Sequence, residues 1–252
     1  KRFTLTPGTM IHDATFADVA LPGTISGTHF LDLDRDGVQD EGDIGIPNSE
    51  VELIAAFSGS DNVITTDADE AKSVYAADVD GDGDMDVLSA SERDDKIAWY
   101  QNDGSGNFGS EQVITRDASN AQSVYATDLD GDGDMDVLSA SMGDDKIAWY
   151  QNDGRGNFGS QQIITTQGDK KTSVHAADVD GDGDMDVLSA ENLPGEIAWY
   201  ENDGSGNFGS QQVITTQAQG EARVYAADID GDGDLDVLSS SLDSKIAWYE
   251  ND

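Results

Sequence analysis

The sequence contains no cysteine, which excludes disulfides, thiolate metal sites and cysteine nucleophiles. Histidine is almost as scarce. His12, His29 and His175 are the only three in 252 residues, too few for multi-histidine metal catalysis. Cations are sparse too: 13 Lys and Arg stand against 52 Asp and Glu, a formal net charge of −39. So acidic a chain has no basic footprint for nucleic acid and is repelled by anionic membranes. No apolar run approaches the roughly 18 residues of a spanning helix, which argues against membrane insertion. No basic-then-apolar leader opens the sequence, so Lys1 is expected to begin a mature protein or a fragment. The length suits one large domain or two small ones. A hydrophobic content of 37% can supply a core, provided something neutralises the acid.

What is abundant is repetition. SVYAADVDGDGDMDVLSAS at Ser73–Ser91 returns as SVYATDLDGDGDMDVLSAS at Ser123–Ser141, then in close copies from Ser173 and Arg223. The first Asp of each acidic run falls at 78, 128, 178 and 228, a period of 50. Tryptophan stands at 99, 149, 199 and 248, so the last unit is one residue shorter before its Trp. Within a unit the pattern is strand-like: SVYAAD sets Val74 and Ala76 against Tyr75 and Ala77, and KIAWY sets Ile97 and Trp99 against Ala98 and Tyr100. DVLSA and QVIT supply two more short strands, and no stretch shows a capped helical period. Four strands in a unit of this length match a propeller blade.

The phase of the array is informative. Phe57–Thr66 (FSGSDNVITT) matches the fourth-strand segment that starts at Phe108, whereas the last unit ends in IAWYEND, Ile246–Asp252, after its third strand. Asn62–Thr66 is therefore expected to close a ring with the last blade or to pair with the last blade of another copy, since a bare third strand is an unpaired edge.

The run DVDGDGDMD places carboxylates at alternating positions with Gly between them, a short loop able to curl round a hard cation. In the first unit the ligands are expected to be Asp78, Asp80, Asp82 and Asp86, with Asp84 giving its carbonyl. The equivalents are Asp128, Asp130, Asp132, Asp134 and Asp136, then Asp178, Asp180, Asp182, Asp184 and Asp186, then Asp228, Asp230, Asp232, Asp234 and Asp236. Four carboxylates in one loop make six repelling pairs, each costing roughly 1 kcal/mol at 4 Å even in water. A salt-adapted surface would spread its acid, yet here 20 of 52 acids crowd into four short loops. Calcium is the expected counter-ion. A related run, DLDRDGVQDEGD, offers Asp32, Asp34, Asp36, the Val38 carbonyl, Asp40 and Asp43, for about five sites in all. Both runs resemble EF-hand loops but are flanked by strand-like sequence, so neither is an EF-hand.

Other signals have plain readings. GSGNFG at Gly104–Gly109 satisfies G-x-G-x-x-G, but it joins two strands and recurs, so it is a hairpin turn and not a dinucleotide site. The Trp99-Tyr100 pair and its equivalents read as packing between blades, with a sugar-stacking surface as the alternative. His175 replaces a Tyr of the other units and reads as a packing variant. No nucleophile–base set or isolated carboxylate pair stands out, so no enzyme is expected. The positions that differ between units lie mainly at Asp67–Ala71, Glu92–Asp95 and their equivalents, where partner specificity would reside.

The pattern DxDGDGxxD followed by WYxNDGxGNFG resembles FG-GAP/VCBS repeats over about three quarters of the chain. The resemblance implies calcium-stabilised propeller blades, as in integrin-α heads and large secreted bacterial proteins, with calcium on the loop positions named above. Residues 24–56 resemble the opening of an SdrD B-like, immunoglobulin-like module, and the stretch before them its closing strands. The expected fold is all-β: a partial immunoglobulin-like segment at 1–56, then four propeller-type blades of about 50 residues at 57–252. The expected function is a non-enzymatic extracellular or cell-surface scaffold and adhesion module, self-associating through incomplete β edges into filaments. The alternative is a carbohydrate- or protein-binding propeller appended to a larger secreted enzyme.

Overall fold

A computed structural model describes residues 30–31, 44–45 and 61–251. The chain divides into two compact units, Lys1–Asn62 and Val63–Asp252. In the first, β1 (Phe30–Leu31) pairs antiparallel with β2 (Ile44–Gly45). The immunoglobulin-like reading of 1–56, and the loop holding Asp32, Asp34, Asp36, Val38, Asp40 and Asp43, lie outside the described residues.

The second unit holds four antiparallel sheets and, among the described residues, no helix. The first runs β3 (Ala71–Ala77), β4 (Asp86–Ser91), β5 (Lys96–Tyr100), β6 (Gln112–Thr115). The second runs β7 (Ala121–Thr127), β8 (Asp136–Ser141), β9 (Lys146–Tyr150), β10 (Gln162–Thr165). The third runs β11 (Asp169–Ala177), β12 (Asp186–Leu193), β13 (Ile197–Tyr200), β14 (Gln212–Thr215). The fourth has three strands, β15 (Arg223–Ala227), β16 (Asp236–Ser241) and β17 (Lys245–Tyr249). Each is a meander, so the acidic run between strands one and two and, in the first three sheets, the NDG turn between strands three and four fall at the same end of the sheet. That placement governs the candidate sites.

Successive sheets pack through their first strands. The backbone N–H of Val124 donates to Ser73 Oγ at 3.3 Å, Val174 to Ser123 Oγ at 3.3 Å and Val224 to Ser173 Oγ at 3.4 Å. Along the same strands Tyr75, Tyr125, His175 and Tyr225 form a ladder with ring centroids 4.5, 4.7 and 4.6 Å apart. Leu88, Ala90, Ile97 and Trp99 of the first sheet share a core with Val124, Ala126, Val137 and Tyr150 of the second. A neighbouring sheet covers each side of the second, and β8 is buried at every residue, as is β5 in the first sheet. In these two strands the period-2 alternation of residue types is not an alternation of exposure.

Glycine is required where sheets meet. A Cβ on Gly156, which has φ +75°, would collide with the Trp99 indole, and one on Gly206 would sit 2.5 Å from Trp149 Cζ2. The Trp-Tyr pairs are packing elements in the first two sheets: Trp99, Tyr100, Trp149 and Tyr150 are buried.

The end faces of the array differ from its interior. Val74 is 71% exposed while its equivalents Val124, Val174 and Val224 are buried, and Ile246 is 86% exposed where Ile97, Ile147 and Ile197 are fully enclosed. Asn62–Thr66, expected to be a strand, is not in one, and Val63 is exposed. Closure of a ring through that segment is therefore not what the structure shows. Its β-prone sequence finds no strand partner among the described residues, and a lone strand is not stable.

Candidate metal centres

The acidic runs turn back on themselves because their glycines adopt positive φ values that residues with a side chain disfavour: +72° and +94° at Gly81 and Gly83, +75° and +94° at Gly131 and Gly133. Aspartates then tie the turn. Asp78 Oδ2 accepts from Gly83 N at 3.0 Å, and Asp82 Oδ1 from Asp84 N at 2.9 Å. In the second sheet Asp128 accepts from both Gly131 N and Gly133 N, and Asp132 from Asp134 N.

The ninth position anchors the loop. Asp86 is fully buried; its Oδ2 accepts from Val79 N at 3.0 Å and its Oδ1 from Asn102 N, across the second hairpin, at 2.8 Å. Asp136, Asp186 and Asp236 repeat both bonds with Leu129 and Asn152, Val179 and Asn202, Ile229 and Asn251. Burial pushes the Asp136 carboxyl up to about 7 and that of Asp186 up to about 6, against the pull of those two backbone donors. Asp86 is raised for the same reason. Asp80 and Asp130 are also raised, first by burial and then by neighbouring aspartates.

Three of the four loops converge alike. Carboxylate oxygens of Asp78, Asp80 and Asp86 lie within 4.8 Å of one another, as do those of Asp128, Asp130 and Asp136, and of Asp178, Asp180 and Asp186. In the fourth loop the converging trio is Asp228, Asp230 and Asp232, all exposed, and Asp236 stands apart from it. Asp82, Asp132 and Asp182 lie outside the first three trios and bind backbone N–H groups of their own turns. The side chains of Asp84, Asp134 and Asp184 rest against Gly104, Gly154 and Gly204 of the NDG turn, where a Cβ would strike them. Asp234 contributes a backbone donor to Asp232 at 3.0 Å.

The donor set fits a hard cation. Asp78 Oδ1, Asp80 Oδ1, Asp130 Oδ1 and Asp178 Oδ1 are buried without a hydrogen-bond donor, each within a converging trio. Buried anionic oxygens left unpaired are costly, and a divalent ion with oxygen preference satisfies several at once. Such an ion would be held by the trios and would supply charge neutralisation, with no redox or Lewis-acid chemistry required of it.

Sequence reasoning missed the asparagines. Asn102, Asn152, Asn202 and Asn251 follow the third strands and hold both the ninth-position aspartate and neighbouring carbonyls. Their signal was available, because NDG (ND in the last unit) recurs with the repeat, but as a turn motif it pointed only to local geometry.

The FG-GAP-like repeat matches the chain three times, at 78–139, 128–189 and 178–239. No curated protein matches in sequence. Among solved structures, a lectin of Agrocybe aegerita, described as recognising non-reducing terminal N-acetylglucosamine, is similar over 65% of this chain and 45% of its own, with 24% identity and TM-score 0.49. The Vibrio cholerae biofilm matrix protein Bap1 is similar over 71% of this chain and 26% of its own, with 24% identity and TM-score 0.46. The Tc holotoxin pore of Photorhabdus luminescens is similar over 71% and 9%, with 18% identity and TM-score 0.42. The chain thus spans less than half the length of each of these.

Proposed function

Since the chain belongs to the FG-GAP-like repeat family, we propose that it is a non-enzymatic, calcium-stabilised extracellular module that serves adhesion or a matrix scaffold. The observation that carries this reading is the repeated trio of converging carboxylates with donor-less buried oxygens. FG-GAP repeats commonly bind calcium, and extracellular calcium modules work at about 10⁻⁴–10⁻³ M, a concentration met outside cells and not in cytosol. Four bound ions would add 8 positive charges to the −39 of the chain, leaving −31. No helix among the described residues is long and apolar enough to cross a membrane.

Self-association is part of the reading. Among the described residues the outer side of β17 is unpaired, and Asn62–Thr66 is similar in sequence to β6, β10 and β14, which occupy that side of the third strand elsewhere. A second reading, glycan binding as part of a larger secreted protein, is favoured by the exposure of Trp248 and Tyr225.

Calcium calorimetry on decalcified protein, followed by sedimentation and a glycan array with and without calcium, tests all three. Saturable binding at three or more sites in the stated range supports the calcium module. Concentration-dependent assembly supports the scaffold, and discrete glycan hits on a monomer support the alternative. Protein that takes up no calcium, yet melts at the same temperature in chelator, would remove the basis of the proposal.

A further inference from the structure

Between the aspartate loops of successive sheets runs an unbroken relay of hydrogen bonds. Val79 sits between Asp78 and Asp80, and its carbonyl accepts from Asn152 Nδ2 of the next sheet at 2.7 Å. The backbone N–H of Asn152 in turn donates to Asp136 Oδ1 at 2.8 Å, and Asp136 Oδ2 accepts from Leu129 N, between Asp128 and Asp130, at 3.0 Å. The Leu129 carbonyl accepts from Asn202 Nδ2 at 2.8 Å, and Asn202 N reaches Asp186 at 2.8 Å. The Val179 carbonyl closes the third step with Asn251 Nδ2 at 2.7 Å. The first two asparagine bonds across sheets are buried. A second contact runs in parallel: a Cβ on Gly81 would lie 3.1 Å from the Gly154 carbonyl, and one on Gly131 the same distance from Gly204.

We propose that Asn152 and Asn202 are positioning residues that couple cation binding in one aspartate loop to the affinity of the loop before it. The inference rests on the calcium reading above. An ion bound beside Asp136 fixes that carboxylate, which fixes the Asn152 backbone and so the amide aimed at the Val79 carbonyl. The segment carrying Asp78 and Asp80 is then already ordered when its own ion arrives, and less ordering remains to be done. Coupling of this kind is reciprocal, typically five-fold or more in affinity.

Asn102 provides an internal control. It makes the same bonds within its own sheet as Asn152: N to the ninth-position aspartate at 2.8 Å, Nδ2 to the Met85 or Met135 carbonyl at 3.0 Å, and Oδ1 from Gly106 or Gly156 N at 3.1 Å. Asn152 alone of the two adds a bond across sheets. Calcium titration of the whole chain by amide NMR reads the loops separately, because the Gly83, Gly133 and Gly183 amides donate to Asp78, Asp128 and Asp178.

At 0.15 M salt, where charges beyond about 8 Å are screened, Asp130→Asn is expected to raise the calcium midpoint at Gly83 by roughly five-fold. In an Asn152→Ala background that response disappears, and in an Asn102→Ala background it persists. The first comparison leaves Asn152 intact, so it holds even if Asn152→Ala fails to fold. A Gly83 midpoint indifferent to Asp130→Asn, or one still responding without Asn152, overturns the coupling alone. No saturable shift at any of the three glycines overturns both the coupling and the calcium reading.

Discussion

His175 stands where Tyr75, Tyr125 and Tyr225 stand in the other units, its ring between those of Tyr125 and Tyr225. Burial depresses its pKa from 6.5 to about 4, with no charged partner offsetting the loss of solvent. The unfolded chain takes up the proton near the ordinary value and the folded chain only near 4. Acidification therefore favours unfolding between those limits, and the loss levels off below the lower one. Its full size is on the order of 3 kcal/mol. In excess calcium, the urea midpoint of the unaltered protein should fall from pH 7 to pH 4 more steeply than that of His175→Tyr, which restores the aromatic of the other units. Superimposable pH profiles for the two would show that the buried imidazole is not the acid-sensitive group.

At the scale of the element, the aspartate loop responds to pH in the opposite sense. The folded pKa values of Asp136 and Asp186, about 7 and about 6, lie above the carboxylate's ordinary 3.8. Their protonation contributes stability that is complete below the unfolded value and lost as pH rises through the folded one. A bound divalent ion replaces the proton and removes the loss. In chelator and on the His175→Tyr background, the melting temperature should therefore decline between pH 5 and pH 7.5, and millimolar calcium should abolish the decline. A flat chelator profile would mean that these carboxylates carry no unfavourable charge. The loop itself was legible in the sequence, because alternating Asp and Gly specify both the turn and the ligand type; so were the strands, from DVLSA and KIAWY. Less legible was the division of labour within the loop. Asp86 and Asp82 look alike as letters, yet one is enclosed between two backbone donors and the other binds only its own turn. What separates them is Asn102, brought across by the second hairpin from 16 residues away. Burial on both faces of β8 was equally invisible, since it comes from packing between sheets.

For the molecule as a whole, calcium and sheet order should act together. An ion that binds only the folded state stabilises it by about 1.4 kcal/mol at ten times its dissociation constant, as at millimolar calcium. Three or four such ions sum to about 4–6 kcal/mol, comparable with the lower end of the stability of a typical domain. Chelation is thus expected to carry the repeat unit close to unfolding. The loss should not be uniform, because cover is not uniform. The β8 and β9 strands lie between sheets on both sides, whereas β15–β17 have Tyr225, Ile246 and Trp248 exposed and an exposed aspartate trio. Local opening is easiest where few apolar contacts hold the backbone bonds. Hydrogen exchange in calcium should find the β16 and β17 amides least protected and those of β8 and β9 most protected. Partial chelation should release the fourth sheet first, then the third, with the second retained longest. Simultaneous loss of protection in all four sheets would instead identify the array as a single cooperative block, in which the covered and uncovered faces make no energetic difference.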